Sequence, residues 1–107
     1  MSIAHETALL APFEIWEVML DDTTIKFFEP LLLKPKRLAG DDDLWIIEKS
    51  DLGLSAFGTD RESLWECVQS CIRMAWKEFV CEDDRNLLPL AKKYKDAYLS
   101  IAEDVDE

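Results

Sequence analysis

A strand that stops at a glycine and leads directly into a long helix is the feature that most constrains this chain. The segment from Gly53 alternates polar and apolar residues, reaches Gly58 and then continues with helical spacing to Ile72. Thr59 predicts a helix N-cap, since its side chain can accept a hydrogen bond from the backbone N–H three residues later, and Glu62 can reach back to the N–H of Thr59. This capping box predicts a strand–turn–helix junction, and therefore a domain in which a helix covers a sheet.

Length and composition predict one small domain. The chain has 107 residues, of which 49% are apolar, and a chain of this size buries roughly 65% of its unfolded surface, enough for one core. Within residues 1–107 we distinguish three parts: an N-terminal arm with a possible hairpin (1–30), a central sheet and helix (31–82), and a C-terminal amphipathic helix with an acidic tail (83–107).

The same composition argues against several classes of protein. No apolar run reaches the ~20 residues of a membrane-spanning helix, and the first residues lack the pattern of a signal peptide. Three cysteines, Cys67, Cys71 and Cys81, make a poor disulfide framework and suit a reducing compartment. We therefore expect a cytoplasmic protein without a membrane partner.

The net charge of −11 bears on the choice of partner. Binding of DNA or RNA needs a basic surface that neutralises phosphates, so a direct nucleic-acid partner is not expected. An acidic surface instead suits a basic protein, although acidity also serves simply to keep a small domain soluble.

The N-terminal half contains several short strand patterns. Phe13–Leu20 is followed by a turn at 21–24 and by Ile25–Phe28, which Pro30 is expected to close; over 13–29 a hairpin and a helix both remain open. Leu31–Leu38 predicts an edge or bent strand, because Pro35 cannot donate a backbone hydrogen bond.

The best strands come next. Leu44–Lys49 is rich in β-branched and aromatic residues. Leu52–Phe57 places Leu54 and Ala56 on one face and Ser55 and Phe57 on the other.

The predicted fold is α+β: an antiparallel sheet with a β-β-β-α core and an added C-terminal helix. It therefore contains two helices. The first, Asp60–Val80, has one apolar stripe made of Leu64, Val68, Cys71, Ile72, Ala75 and Phe79. The second runs from Leu87 to Glu103 behind Asn86 as a cap, with an apolar face made of Leu87, Leu90, Ala91, Tyr94, Ala97, Tyr98 and Ile101. Glu103–Glu107 is expected to fray.

Four aromatic residues are the candidate partner-binding residues. Trp65 and Trp76 lie at the margin of the first apolar stripe, where they either close the edge of the core or flank a binding surface. Tyr94 and Tyr98 lie on the apolar face of the second helix, which is the alternative surface for self-association.

No catalytic, cofactor or metal site is predicted. His5 has no partner at triad or ligand spacing, Cys67 and Cys71 lack a second ligand pair, and Asp41–Asp43 lacks the spacing of a calcium loop. Gly53 and Gly58 do not form a phosphate loop. We therefore expect a protein that is not an enzyme.

The segment from Leu44 to Phe79 resembles the HicB-like antitoxin domain. The resemblance rests on the aliphatic spacing of the helix and on the junction behind two strands, where the family's Gly-x-Thr/Ser-x-x-Glu corresponds to Gly58-Thr59-x-x-Glu62 without the residue between Gly and Thr. The matching residues are Trp45, Ile47, Leu52, Gly53, Ala56, Gly58, Thr59, Glu62, Leu64, Val68 and Ile72.

The resemblance implies a three-stranded antiparallel sheet crossed by one helix and followed by a further strand. It also implies a protein that neutralises a small basic RNA-cleaving toxin and forms homo-oligomers. Members that repress their own operon carry a C-terminal DNA-binding domain, which this chain lacks between 83 and 107. The leading hypothesis is thus a protein-binding module for a basic partner, and the alternative is a self-associating accessory protein.

Overall fold

The chain folds as an α+β domain, as predicted. The computed structural model describes residues 11–37 and 44–106. Within these ranges the strands are β1 (Phe13–Met19), β2 (Thr23–Leu33), β3 (Lys36–Arg37), β4 (Trp45–Lys49), β5 (Leu54–Gly58) and β6 (Ala102–Asp106), and the helices are α1 (Arg61–Ala75) and α2 (Pro89–Ile101). The strands form two antiparallel sheets, ordered β1-β2-β6 and β3-β4-β5.

Residues 13–29 form a hairpin rather than a helix. Phe13, Ile15 and Val18 are buried on one side of β1, and β2 pairs with this strand in antiparallel register. The turn is closed by the backbone N–H of Leu20, which donates to the carbonyl oxygen of Thr23 at 2.9 Å. The strand interpretation of this segment is therefore confirmed, because its apolar side chains alternate rather than follow a helical stripe.

Pro30 does not close the second strand, contrary to the prediction. β2 continues to Leu33, and its register against β1 shifts where Ile15 faces Leu31 but Glu17 faces Lys26. An advance of two residues along β1 thus corresponds to five residues along β2. The extra residues of β2 form a bulge that contains Pro30. A proline is tolerated at such a bulge because its missing N–H breaks no regular ladder bond.

Pro35 has the effect expected of it. The chain leaves β2 after Leu33, and after Pro35 it forms β3, which pairs with β4. The chain therefore passes from the first sheet to the second directly from β2 to β3, with the interruption at Pro35 between these two strands.

The second sheet positions the helix. β4 and β5 are joined by a short turn over Ser50–Leu52, and Gly53 ends that turn in the left-handed region with φ of 63°. Leu54 and Ala56 are buried while Ser55 and Phe57 are exposed, which confirms the predicted alternation.

The capping box of α1 lies one residue later than predicted. Asp60, not Thr59, is the N-cap: its carboxylate accepts from the N–H of Ser63 at 2.7 Å, and the hydroxyl of Ser63 accepts from the N–H of Asp60 at 3.3 Å. The shift follows from β5, which extends through Gly58 and leaves Thr59 and Asp60 to make the turn into the helix.

The apolar stripe of α1 enters the core that both sheets share. Leu64, Val68 and Ile72 are fully buried, and α1 packs against β5, β4 and β1. The predicted helix continues to Val80, but Trp76–Val80 forms a turn of π-helix.

The C-terminal part differs most from the prediction. Asn86 lies in a short 3₁₀ turn, and α2 starts at Pro89, whose fixed φ suits the first helical position. The acidic tail does not fray: β6 pairs with β2 from Phe27 opposite Ala102 to Thr23 opposite Asp106. Backbone pairing with β2 and burial of Ala102 hold this strand in place despite its charge.

No helix in the described ranges has the length and apolar character needed to cross a membrane.

Gly58→Ala should destabilise the protein by about 1–3 kcal/mol. A Cβ at this position would lie 2.6 Å from the backbone N and 2.8 Å from the Cα of Leu64, so the helix itself would have to move. Urea denaturation followed by circular dichroism measures the loss. Ser55→Ala, an exposed change on the same strand, is the control, and equal stability of the two variants would contradict the predicted clash.

Asp60→Ala should lower stability at neutral pH and less so in acid. The N–H and hydroxyl of Ser63 hold the pKa of Asp60 below its ordinary value of 3.8, so the carboxylate stabilises the folded state above that pH. As pH falls through the lowered pKa, the acid is protonated and the cap weakens.

The difference in melting temperature between wild type and Asp60→Ala should therefore shrink towards about pH 2. The matched variant Asp22→Ala, which removes an exposed turn carboxylate, should show no such trend. A difference that stays constant with pH would contradict the role of the charged cap.

Candidate protein-binding surfaces

Two of the four candidate aromatic residues are inaccessible. Trp76 and Tyr98 are fully buried and meet edge to face, with 6.2 Å between their ring centroids. Of the two interpretations of Trp76, closure of the core therefore fits its burial, and neither Trp76 nor Tyr98 offers a surface to a partner. The reason is that α2 packs on the π-helical turn and encloses both rings.

The other two candidates are half-buried and lie apart. Trp65 stacks on Phe13 with 5.6 Å between centroids, and the guanidinium of Arg61 lies 4.0 Å from the centre of the Phe13 ring. Tyr94 packs against Phe79 at 5.5 Å, beyond the far end of α1. The four residues therefore do not form one binding surface.

The buried aromatic pair carries two polar atoms without a hydrogen-bond partner among the described residues, Nε1 of Trp76 and the hydroxyl of Tyr98. Burial raises the pKa of Tyr98 far above its ordinary value. This pair is thus a packing element whose polar atoms contribute nothing to binding at the surface.

The cysteine pair on α1 shows no sign of nucleophilic chemistry. The thiol of Cys71 donates to the carbonyl oxygen of Ser55 at 3.4 Å. Burial and the neighbouring Cys67 raise the pKa of Cys71 to about 11, so this thiol stays protonated at neutral pH, when a nucleophile or metal ligand must be a thiolate.

In residues 11–37 and 44–106, no group of three or more histidine, cysteine, aspartate or glutamate residues is placed to hold a metal ion. His5 and Asp41–Asp43, which the sequence analysis considered and rejected as catalytic or metal-binding residues, lie outside the described residues.

A set of exposed side chains lies on the strand phases opposite those that enter the core. We call it the outer face. Its large apolar side chains are 45–62% exposed, and they are Trp16, Met19, Phe28, Leu32 and Phe57. Its charged side chains are Glu14, Glu17, Lys26, Lys36 and Glu48.

Sequence reasoning missed the outer face, although a signal was present. Around the bulge, Phe27 and Phe28 are adjacent, as are Leu31, Leu32 and Leu33, so apolar residues occupy both phases of β2. A strand with apolar side chains on both phases predicts a sheet covered on both sides. On the outer phase of β2 the structure buries Thr24 but leaves Phe28 and Leu32 exposed.

A groove adjoins the outer face at the same bulge. Its volume is about 280 Å³, and it lies where the end of α2 meets β2. Phe28, Glu29 and Pro30 line it together with Ser100 and Ile101.

A second surface is the outer edge of β6, which we call the acidic edge and define by Glu103, Asp104 and Asp106. All three are exposed, and none forms an ion pair with another described residue. β6 ends its sheet, so one side of its backbone has no neighbouring strand in the described residues. The acidic Asp21–Asp22 turn adjoins its far end, because Thr23 pairs with Asp106.

The other acidic cluster, before α2, is neutralised from within. Asp84 pairs with Lys95 at 2.8 Å and with Lys92 at 3.6 Å, while Asp83 pairs with Arg85 at 2.8 Å. These partners hold the pKa values of both carboxylates below their ordinary value. The carboxylates of this cluster are thus already paired, whereas those of the acidic edge form no ion pair with another described residue.

Comparisons with known proteins do not identify the chain. No family model, curated protein or solved structure matches it. The resemblance to the HicB-like domain accordingly rests on the residues of the segment from Leu44 to Phe79.

Tyr98→Phe should leave the free energy of unfolding unchanged or raise it by about 1 kcal/mol, because it removes a buried hydroxyl that bonds to no described residue. Tyr98→Ser should lower it by about 3 kcal/mol or more, since the ring fills the core beside Trp76. Urea denaturation of both variants provides the measurement. A destabilised Tyr98→Phe would show that the hydroxyl takes part in a stabilising bond.

Proposed function

We propose that this protein is a non-enzymatic protein-binding module, similar to a HicB-like antitoxin, that binds and neutralises a small basic RNA-cleaving toxin. The observation that carries the proposal is the acidic edge: an edge strand with three exposed carboxylates that form no ion pair with other described residues. No direct contact with nucleic acid and no cofactor is part of the proposal.

The acidic edge suits a basic partner for two reasons. Its carboxylates attract lysine and arginine side chains and would raise the rate of encounter. Its unpaired backbone edge offers hydrogen bonds to an extended segment, which is a common way for peptides to add to a sheet. A basic strand of the partner placed beside β6 would satisfy both.

The residues behind the HicB resemblance also support the proposal. Ile47, Ala56 and Leu64 are fully buried where β4, β5 and α1 meet, so the matching residues form the contact between sheet and helix. Gly58 is required at the junction by its closeness to Leu64. Since a fold supports many functions, the acidic edge rather than this core carries the functional proposal.

The experiment is a binding measurement between this protein and the small basic protein encoded beside it. Asp104→Lys combined with Asp106→Lys should weaken binding about tenfold or more, because both reversals place like charge against the partner. The matched control, Glu66→Lys with Glu78→Lys, changes the net charge equally on exposed sites of α1 and of the π-helical turn that follows it, and should weaken binding far less.

Salt provides the second readout. The association rate of the wild type should fall steeply as ionic strength rises, because exposed charges are screened. Equal weakening by both double variants would show that only net charge matters. Absence of any complex with the basic neighbour would overturn the proposed function.

A further inference from the structure

We infer that the margin of α1 next to β5 carries a binding site for a copper(I) ion, held by the sulfur atoms of Cys67, Cys71 and Met74. The site lies on the helix, away from the acidic edge, so the inference goes beyond the proposed function and does not depend on it. It rests on the spacing of the three sulfur-bearing residues, on their exposure, and on a cavity that two of them line.

The spacing of the three residues brings their sulfur atoms to one side of the helix. Cys71 comes four residues after Cys67 and three residues before Met74. Residues at these separations are neighbours on a helix surface, with about 5–6 Å between their Cβ atoms. Because helical side chains lean towards the N-terminus, a long side chain at position 74 reaches back to the turn that carries Cys71. One metal ion can therefore contact all three sulfur atoms.

The three side chains are accessible from solvent. Cys67 and Cys71 are half-buried, and Met74 is 58% exposed. Cys71 and Met74 also line a cavity of about 190 Å³, whose other wall includes Gly53 and Ser55 at the start of β5. An ion can thus reach the sulfur atoms without any opening of the core.

The orientation of Cys71 is fixed by its neighbour across the cavity. Its thiol donates to the carbonyl oxygen of Ser55 at 3.4 Å. β5 is the last strand of its sheet, so this carbonyl group lies beside the margin of α1 and holds the sulfur at the cavity. The side chain of Met74, which is exposed, has the freedom to complete the site.

The ligand set favours copper(I) over other metal ions. Thiolate and thioether sulfurs are soft ligands, which copper(I) prefers. Zinc almost always takes four ligands from cysteine, histidine, aspartate and glutamate, and the part of the chain that the structure describes places no three of these together. Calcium and magnesium bind oxygen ligands. A site with two cysteines and one methionine therefore suits a soft monovalent ion of low coordination number.

Binding has a defined proton balance. Cys71 carries its proton at neutral pH in the metal-free protein, and a coordinating thiol gives up that proton to the solvent. Two S–H bonds are replaced by two bonds from sulfur to copper, and two protons pass to water. Met74 contributes a lone pair and loses nothing. No electron is transferred, because the metal enters as copper(I).

The test is a competition titration of the full chain, with its thiols reduced and oxygen excluded, against copper(I) held by a coloured chelator such as bicinchoninate. The wild type should take up one ion per chain. Met74→Leu keeps the size of the side chain and should weaken binding about tenfold or more, since even the loss of a residue that only orients a metal ligand has an effect of that size. Cys67→Ser should weaken binding further, because it removes a thiolate.

The chain offers a matched control for each kind of ligand. Met19→Leu removes a thioether that is 62% exposed, and Cys81→Ser removes an exposed thiol. Both variants should bind copper(I) as the wild type does. Circular dichroism of every variant shows whether the fold is retained.

Two spectra of the wild type give readouts that do not depend on a variant's folding. In protein labelled with ¹³C at the methionine methyl groups, one equivalent of copper(I) should shift the resonance of Met74 and leave that of Met19 in place. X-ray absorption at the copper edge should show sulfur neighbours only, three of them in the wild type.

Three results would overturn the inference: a wild type that binds copper(I) no more tightly than Cys67→Ser, equal affinities of Met74→Leu and Met19→Leu, or loss of the ion in Cys81→Ser. A protein that takes up no copper(I) but binds the basic neighbour through Asp104 and Asp106 would overturn this site and leave the proposed function standing. A copper(I) site in a protein that binds no basic neighbour would do the reverse.

Discussion

The packing of α1 against two sheets at once is the contact on which the rest of this structure depends. Leu64, Val68 and Ile72 are spaced so that all three point into one core. Because α1 packs on β4 and β5 and also on β1, their burial holds the two sheets together, although the strand that runs from one sheet to the other is interrupted at Pro35. Without this helix β4 and β5 would lose the element that packs on them most extensively, and a small sheet needs a packed face to be stable in water.

One consequence is an asymmetry between the two sides of the sheets. Both helices lie on the inner side, so the apolar residues on the outer phase of β1 and β2 are left in contact with solvent. Phe28 and Leu32 are exposed for this reason, and not because the core lacks room for them. The acidic edge arises separately, because β6 pairs with β2 through its backbone while its carboxylates stay in water.

The differences between expectation and structure have identifiable causes. The cap moved from Thr59 to Asp60 because strand length, which local spacing does not reveal, decided where the turn began. Trp76 and Tyr98 were candidates for a binding surface because helical spacing places each on an apolar stripe or its margin, but spacing does not show which neighbouring segment covers that side of the helix. The strand at 102–106 was unexpected because three carboxylates in five residues are typical of a solvated tail, and only pairing with β2 makes this segment extended.

The sequence by itself determined the α+β class, the strands at 45–49 and 54–58, the junction at Gly58 and the buried stripe of α1. These follow from local rules: alternation, capping and the 3.6-residue period act over a few neighbouring residues. The tertiary structure alone decided which aromatic residues are accessible, that the acidic segment is an edge strand, and that Phe28 and Leu32 of β2 are exposed. Those properties depend on which distant segments pack together, and so they lie beyond the reach of local spacing.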